Sequence, residues 1–291
     1  MLKNKLFVNA KKVDEFIKGY LRRQKKSSLI KPMKYGVLSG GKKIRSSIII
    51  STGKLLNINP RKLLYICGAV ECIHSYSLIH DDLPCMDNDK LRRGKLTTHI
   101  KFGESTAVLA GNSLLTLAFE MISDKNFKIK SAYKLKLIKK LAECSGHTGI
   151  AGGQEMDLQF ENKKKKFKEI IEMQKKKTGK LFSFCCYAVG LTNGKEKLKK
   201  IKLSKLGEDI GLLFQLADDF LDVKGTSKST GKSVKKDKKK GKSTIINLVG
   251  YEYAYKYANN LRKNILSNLK KHGTKANDLM NIINFILERK Y

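Results

Sequence analysis

The sequence predicts an all-α chain, and three observations carry that expectation. Only 3 prolines occur in 291 residues, so few positions forbid a helix from continuing. Apolar residues recur at helical spacing along most of the chain, and no period-two alternation lasts. The stretches between these periodic segments hold the glycines and prolines that punctuate helices. Apolar residues make up 41% and charged residues 30%, a globular balance with enough material for a large core. No linker and no internal repeat divides the chain, so a single domain over residues 1–291 is expected.

The elements follow in order. Residues 5–24 read as an amphipathic helix. A loop continues through KKSSLIKPMKYGVLSGG, marked by Pro32 and the Gly40–Gly41 pair. Residues 43–57 form a second helix. Pro60 opens a third, which runs through RKLLYICGAVECIHSYSLIHDD to Pro84. This third helix is apolar nearly all round, which places it at the centre of the core. Residues 85–102 are polar and irregular. Helical periodicity returns at 103–122, 131–150, 153–161, 167–191, 196–222, 243–271 and 275–289, and the basic segment 224–242 reads as a mobile loop.

The formal net charge is +35, from 61 Lys and Arg against 26 Asp and Glu. Such an excess raises nucleic acid or an anionic membrane as a partner. Lysine supplies 53 of those cations and arginine only 8, whereas specific phosphate and base recognition favours arginine. The lysines are spread along the chain, as on a solvated surface. No nucleic-acid partner is expected. No run reaches the ~18 apolar residues of a membrane span, so no stable membrane insertion is expected. The N-terminal stretch lacks the long apolar segment of a signal peptide. The six cysteines form no CxxC pair, which fits free thiols in a reducing, cytoplasmic compartment.

Against this basic background, acid gathers at HDDLPCMDNDKLRRG, residues 80–94. Asp81 and Asp82 fall at the C-terminal end of the central helix, where the helix dipole disfavours negative charge unless a cation compensates. Mg²⁺ is suited to the task, since it takes oxygen ligands and phosphate oxygens while keeping waters. Pro84 ends the helix, and the loop after it can return Asp87 toward Asp81. A second cluster, QLADDFLD at 215–222, sets Asp218 and Asp222 on one helical face, with Gln215 one turn earlier and Asp219 pointing off that face. Two acidic clusters on apolar helices suit Mg²⁺ ions that hold a diphosphate.

Cations are placed around them. GGKKIR sets Lys42 and Arg45 at a helix start behind a flexible glycine pair, a natural anion site. His74 precedes Asp81 by seven residues and shares its face. Arg92 and Arg93 follow the first cluster, so three of the eight arginines fall in two short motifs. Lys177 and Thr178 open or flank a helix. Lys232 and Lys242 lie in the basic loop, where a solvated run explains them equally well.

These motifs resemble the trans-polyprenyl diphosphate synthase family, nearest to the short-chain bacterial farnesyl enzymes. GGKKIR, VECIHSYSLIHDDLPCMDNDKLRRG, HIKFGESTAVLAGNSLLTLAFE, GGQEMDL, KTGKL, FQLADDFLDVKG and GKST occur in family order from about residue 35 onward. The resemblance implies the isoprenoid synthase fold, a bundle of about ten core helices around a deep central cavity, and a homodimer. It implies about three Mg²⁺ ions, with Asp81 and Asp87 holding two, and Asp218 with Asp222 a third. Lys42, Arg45, His74 and Arg93 would bind isopentenyl diphosphate. Arg92, Lys177, Thr178, Gln215, Lys232 and Lys242 would bind the allylic diphosphate. Geranyl (C10) or geranylgeranyl (C20) product, or a basic nucleic-acid-binding protein without catalysis, are the alternatives.

Chain length would be set by Tyr76 and Ser77, five and four residues before Asp81, which puts Tyr76 about one and a half turns below the metal end. Three positions depart from the family pattern. Lys235 stands where glycine is usual, although Asp237 is kept; Lys90 replaces an acid beside the first cluster; and Ser46 stands where proline is common.

Overall fold

The computed structural model describes residues 2–195, 197–198, 201–224 and 244–289. These residues are all-α apart from two short hairpins, as the composition predicts. They divide into two compact units.

The first unit takes the chain up to Gly53 together with Ile58–Ile138. It opens with α1 (Leu2–Arg22) and α2 (Ile30–Val37). Helix α2 lies where a loop was expected. Pro32 makes that stretch look broken, yet it falls in the first turn, where a backbone N–H has no intrahelical acceptor to lose. Helix α3 (Ile44–Leu55) follows the glycine pair, and α4 (Pro60–Asp81) is the helix expected at the centre. The Asn59 side chain accepts from Arg61 N–H at 2.9 Å, and Pro60 fills the first helical position, so the start of α4 is fixed locally. Leu63, Ile66, Val70 and Ile73 are fully enclosed along it.

Helix α4 packs along α6 (Glu104–Ser123). By length and composition alone α6 would serve as a membrane span, with a mean hydropathy of 1.3, but 44% of that window is buried within the protein. Packing against α4 accounts for its apolar character.

A polar group sits inside this apolar layer. Glu71 on α4 is 2% exposed. Ser46 Oγ donates to its Oε1 at 2.7 Å, and Lys43 Nζ lies 3.5 Å from its Oε2. Lys43 also donates to the Val37 carbonyl at 2.8 Å. The departure at Ser46 is thereby explained, since proline has no hydroxyl to offer the buried carboxylate. Replacing Ser46 with alanine should destabilise the protein by about 1–3 kcal/mol, the cost of leaving a buried acceptor short of a donor. Urea denaturation of the two proteins measures it, with an unchanged midpoint the contrary result.

The irregular segment 85–102 holds two elements that sequence periodicity does not report. Strands β1 (Leu91–Arg92) and β2 (Lys95–Leu96) pair antiparallel, Leu91 with Leu96 and Arg92 with Lys95. The two-residue turn between them has Arg93 at φ 53 and Gly94 at φ 73, the left-handed pair that a tight hairpin favours. Helix α5 (Thr98–Phe102) then leads into α6.

The second unit is Lys54–Asn57 with Lys139–Tyr291. Helix α7 (Ser131–Ser145) stops five residues short of expectation. Thr148 Oγ donates to the Glu143 carbonyl at 2.9 Å, and a Cβ on Gly149 would stand 2.0 Å from the Cys144 oxygen, so SGHTG closes the helix. After α8 (Ile150–Phe160), the run expected over 167–191 is present in three parts: α9 (Phe167–Gln174), a π-helical turn (Lys175–Gly179) and α10 (Lys180–Leu191). Hairpin β3 (Lys197–Leu198) and β4 (Ile201–Lys202) precedes α11 (Leu203–Lys224), which packs along α10. Gly250 at φ 79 separates α12 (Ile245–Val249) from α13 (Tyr251–Lys270), where one helix was expected. A 3₁₀ turn then leads to α14 (Asn277–Glu288). The six cysteines are free; five are buried and Cys85 is exposed.

Candidate active site

In the first unit the acidic cluster is built by a loop that returns on itself. Asp81 ends α4 and Asp82 caps it. Asp87 N–H then donates to the Asp81 carbonyl at 2.8 Å, and Asp89 N–H to the Asp82 carbonyl at 3.1 Å. Asn88, left-handed at φ 50, permits the turn. The loop thus brings the Asp87 backbone back to Asp81, as Pro84 and the loop character of 83–86 allow.

Asp82 is different in kind. It is 3% exposed and grips Arg92, whose Nε lies 2.8 Å from both carboxylate oxygens and whose Nη2 lies 2.5 Å from Oδ1. Asp89 stands 3.9 Å from the same Nη2. Arg92 is therefore clamped along one edge of its fork. Arg93 turns to the glycine pair instead. Its Nη1 donates to the Gly40 carbonyl and, at 3.2 Å, to Ser39 Oγ. A Cβ on Gly41 would come within 2.7 Å of the guanidinium carbon, so the glycine makes room for that arginine as well as supplying φ 101. The sequence treats GGKKIR and the second arginine as separate motifs; the fold puts them in contact.

These cations surround His74, half-buried on α4. Burial first, then Arg45, Arg93, Lys43 and Arg92, holds its pKa well below the usual imidazole value. The neutral imidazole is favoured by this setting. Lys42 is exposed and Arg45 partly so.

Tyr76 is 9% exposed and meets His80 edge-on, with ring centroids 5.7 Å apart. Burial and then Asp81 push its hydroxyl up to about 12. His80 in turn takes the space that Gly111 of α6 leaves open, with Nε2 3.1 Å from the Val108 carbonyl oxygen. Tyr76 therefore rests on a ring that is itself braced by α6. Ser77 donates to the His74 carbonyl at 3.0 Å.

The second unit carries the other acidic cluster. Lys177 and Thr178 do not mark a helix end; they sit in the π turn. Such a bulge re-aims side chains within a continuous helix. Lys177 Nζ meets Asp157 Oδ2 of α8 at 2.7 Å, and a Cβ on Gly153 would stand 2.1 Å from Lys177 N, so α8 presses directly on the turn. Thr178 donates to Gln215 Oε1 at 2.9 Å. Gln215 and Gln174 each donate at 3.0 Å to a different oxygen of Asp219, which is 4% exposed. Asp219 does point off the Asp218–Asp222 face, and it serves as the keystone of this amide network. Asp218 is reached by Arg289, with Nη2 2.5 Å from Oδ1.

Among the described residues no three His, Cys, Asp or Glu side chains gather into a protein-only metal cage. Magnesium needs none, because it binds through one or two carboxylates and keeps its remaining positions for water and phosphate oxygens. The two acidic pairs fit that ion by their donor chemistry. Lys232, Lys242, Lys235 and Asp237 lie outside the described residues.

The polyprenyl synthetase family model matches residues 26–286. The chain belongs to the polyprenyl synthetase family. It is 39% identical over 226 residues to a farnesyl diphosphate synthase of Geobacillus stearothermophilus, covering 76% of each chain. An FPP/GFPP synthase from Zymomonas mobilis superposes with a TM-score of 0.87 at 35% identity over 98% of both chains. A geranyltransferase from Helicobacter pylori, solved with magnesium and isoprenyl diphosphate, superposes with a TM-score of 0.80 at 31% identity, over 98% of this chain and 96% of that one. Membership makes the chain a short-chain prenyltransferase and bears out the resemblance read from its motifs.

Within this prenyltransferase the sequence motifs do not single out Asp157, Gln174 or Arg289, and they pair Asp82 with Asp81 without showing that it holds Arg92. Asp157 lies inside GGQEMDL, but its pairing with Lys177 joins positions twenty residues apart. Gln174 and Arg289 belong to no charged motif, and only packing brings them to the acids of α11.

Proposed function

We propose that this chain is a Mg²⁺-dependent farnesyl diphosphate synthase. It joins isopentenyl diphosphate head-to-tail to dimethylallyl and then geranyl diphosphate, giving the C15 product and pyrophosphate. The observation that carries this reading is the returned loop, Asp87 N–H on the Asp81 carbonyl at 2.8 Å, in the same unit as the cations Lys43, Arg45, Arg92 and Arg93 that act on His74. An acidic cluster that takes metal and a basic cluster that takes a second anion are what two diphosphate substrates require.

The reaction begins as the allylic C–O bond breaks and its electron pair leaves with pyrophosphate. Asp81 and Asp87 of the first unit, and Asp218 and Asp222 of the second, are the residues that would hold magnesium, which would stabilise the charge that develops on the leaving group. Arg92 contributes to the same end: Asp82 takes the Nε–Nη2 edge of its fork, and Nη1 is the donor left to serve the allylic diphosphate. Lys177, Thr178, Gln215, Lys232 and Lys242 are the further residues assigned here to the allylic diphosphate. Lys42, Arg45, His74 and Arg93 hold isopentenyl diphosphate so that its double bond attacks the allylic carbon, forming the new C–C bond. The released pyrophosphate takes the final proton. Apolar side chains around the site exclude the water that would trap the cation. About three ions per site, a homodimer, a cytoplasmic location and a single domain over residues 1–291 complete the proposal. The exposed Val108 and Leu109 on α6 support a partner surface.

Product length follows from Tyr76. Its braced ring lies five residues, about 7.5 Å of helix rise, before Asp81. A Tyr76→Ala enzyme should release products longer than C15, read by chromatography of the dephosphorylated alcohols; an unchanged C15 product would remove Tyr76 from this role. The activity itself is tested by turnover of labelled isopentenyl diphosphate with dimethylallyl and geranyl diphosphates, with and without Mg²⁺. Absence of Mg²⁺-dependent C15 formation overturns the proposal.

A further inference from the structure

Arg92 and Arg289 each hold an acid of the two clusters, and they do so in different ways. Arg92 grips Asp82 through two nitrogens, and both partners are largely enclosed, with side chains 12% and 4% exposed. Arg289 reaches Asp218 through Nη2 alone, and the carboxylate is 45% exposed. The Arg289 side chain is itself 6% exposed, and its guanidinium lies over the Phe214 ring at 4.0 Å. Nη2 also donates to the Phe214 carbonyl at 3.3 Å. Among the described residues, Arg289 Nε is buried without a hydrogen-bond partner. The guanidinium is therefore stored on an aromatic face and touches Asp218 by one corner.

Arg289 directly follows α14, its backbone N–H donating to the Phe285 carbonyl. Neighbouring acid does not compete for it: Glu288 is taken by Arg262 at 2.9 Å. Oδ1 of Asp218 is thus the oxygen that Arg289 occupies, on the same helical face as Asp222.

We propose that Arg289 is a resident counter-cation for Asp218 that a divalent metal must displace, so that the end of the chain sets the metal concentration at which the second acidic cluster fills. This rests on the reading of Asp218 as a metal ligand. A guanidinium 2.5 Å from Oδ1 and a divalent ion on that same oxygen repel one another, so one excludes the other. The single-corner contact lets the exchange occur without dismantling a bidentate clamp, and the Phe214 ring retains the arginine afterwards. The buried Arg92–Asp82 pair has no such freedom.

The test is Mn²⁺ binding in the presence of inorganic pyrophosphate, followed by electron paramagnetic resonance, for the unaltered protein, Arg289→Gln and Asp218→Asn. Arg289→Gln should tighten Mn²⁺ binding about two- to fivefold, the range expected for a part-exposed ion pair removed from competition. Asp218→Asn should weaken it. Arg289→Lys, which keeps the charge, should stay near the unaltered value. If Arg289→Gln binds Mn²⁺ equally or more weakly while Asp218→Asn still loses affinity, the counter-cation role is overturned and the ligand reading stands. If Asp218→Asn binds Mn²⁺ unchanged, the ligand reading itself is overturned and this inference with it. Circular dichroism of each variant confirms that the metal affinities compare folded proteins.

Discussion

An Asp81→Asn enzyme should lose about a thousandfold in kcat, the scale on which removing one strong electrostatic stabiliser of a charged transition state acts. That factor corresponds to about 4 kcal/mol. The change removes one negative charge and leaves the shape of the side chain, so the loss reports charge rather than packing. Substrate KM should move much less, because the developing charge on the leaving group, not the ground state, is what the cluster stabilises. Stability should move the other way. Asp81 stands at the C-terminal end of α4, where the dipole opposes a negative group. Relief of that penalty should raise Tm by about 1–3 °C. Steady-state kinetics and thermal melts on the same preparation check both halves. A variant that retains turnover within tenfold would show that Asp81 is not part of the metal site.

That opposition also explains what was legible in the sequence. Acid at a helix C-terminus is locally unfavourable, and so it stands out against its surroundings without any structure. The same holds for Asp218 and Asp222, whose spacing places them on one face of a helix. Periodicity found α4 and α6 because each has several turns over which apolar spacing accumulates. It missed α2 because eight residues hold barely two turns, and Pro32 lay within them. It missed the β1–β2 hairpin because two-residue strands have no period to detect, although Arg93–Gly94 carried the turn. The helix end at SGHTG came out misplaced by five residues and the break at Gly250 was missed, since glycine signals a stop only when the backbone conformation around it is known. The π turn at Lys175–Gly179 was invisible for a related reason: its residues suit an α-helix equally well, and the bulge follows from α8 pressing on it.

Interactions across long sequence distances form the part that could not be read. Glu71 looked like a polar interruption in an apolar helix; its partners Ser46 and Lys43 lie more than twenty residues earlier. Arg289 and Asp218 are 71 residues apart. Sequence spacing reports neighbours on one helix, and pairings of this kind depend on how helices are packed against each other.

The Asp82–Arg92 clamp gives the second large effect. Replacing Asp82 with alanine leaves Arg92, 12% exposed, without the carboxylate that holds two of its nitrogens. Truncating one member of a buried, hydrogen-bonded ion pair costs about 2–5 kcal/mol. Asp89, 3.9 Å away, is too far to replace a bidentate grip without moving. The arginine then loses its aim, and kcat/KM for the allylic diphosphate should fall about a hundredfold or more, with KM for isopentenyl diphosphate little changed. An Asp82→Glu enzyme, which keeps the charge one methylene further out, should recover part of that loss. A metal ligand at Asp82 would give a different pattern, with activity restored by raising Mg²⁺. The clamp predicts no such rescue, because added metal cannot re-aim a guanidinium. Kinetics of Asp82→Ala across a Mg²⁺ series decides between them, and recovery at high Mg²⁺ would transfer Asp82 from positioning Arg92 to binding the ion.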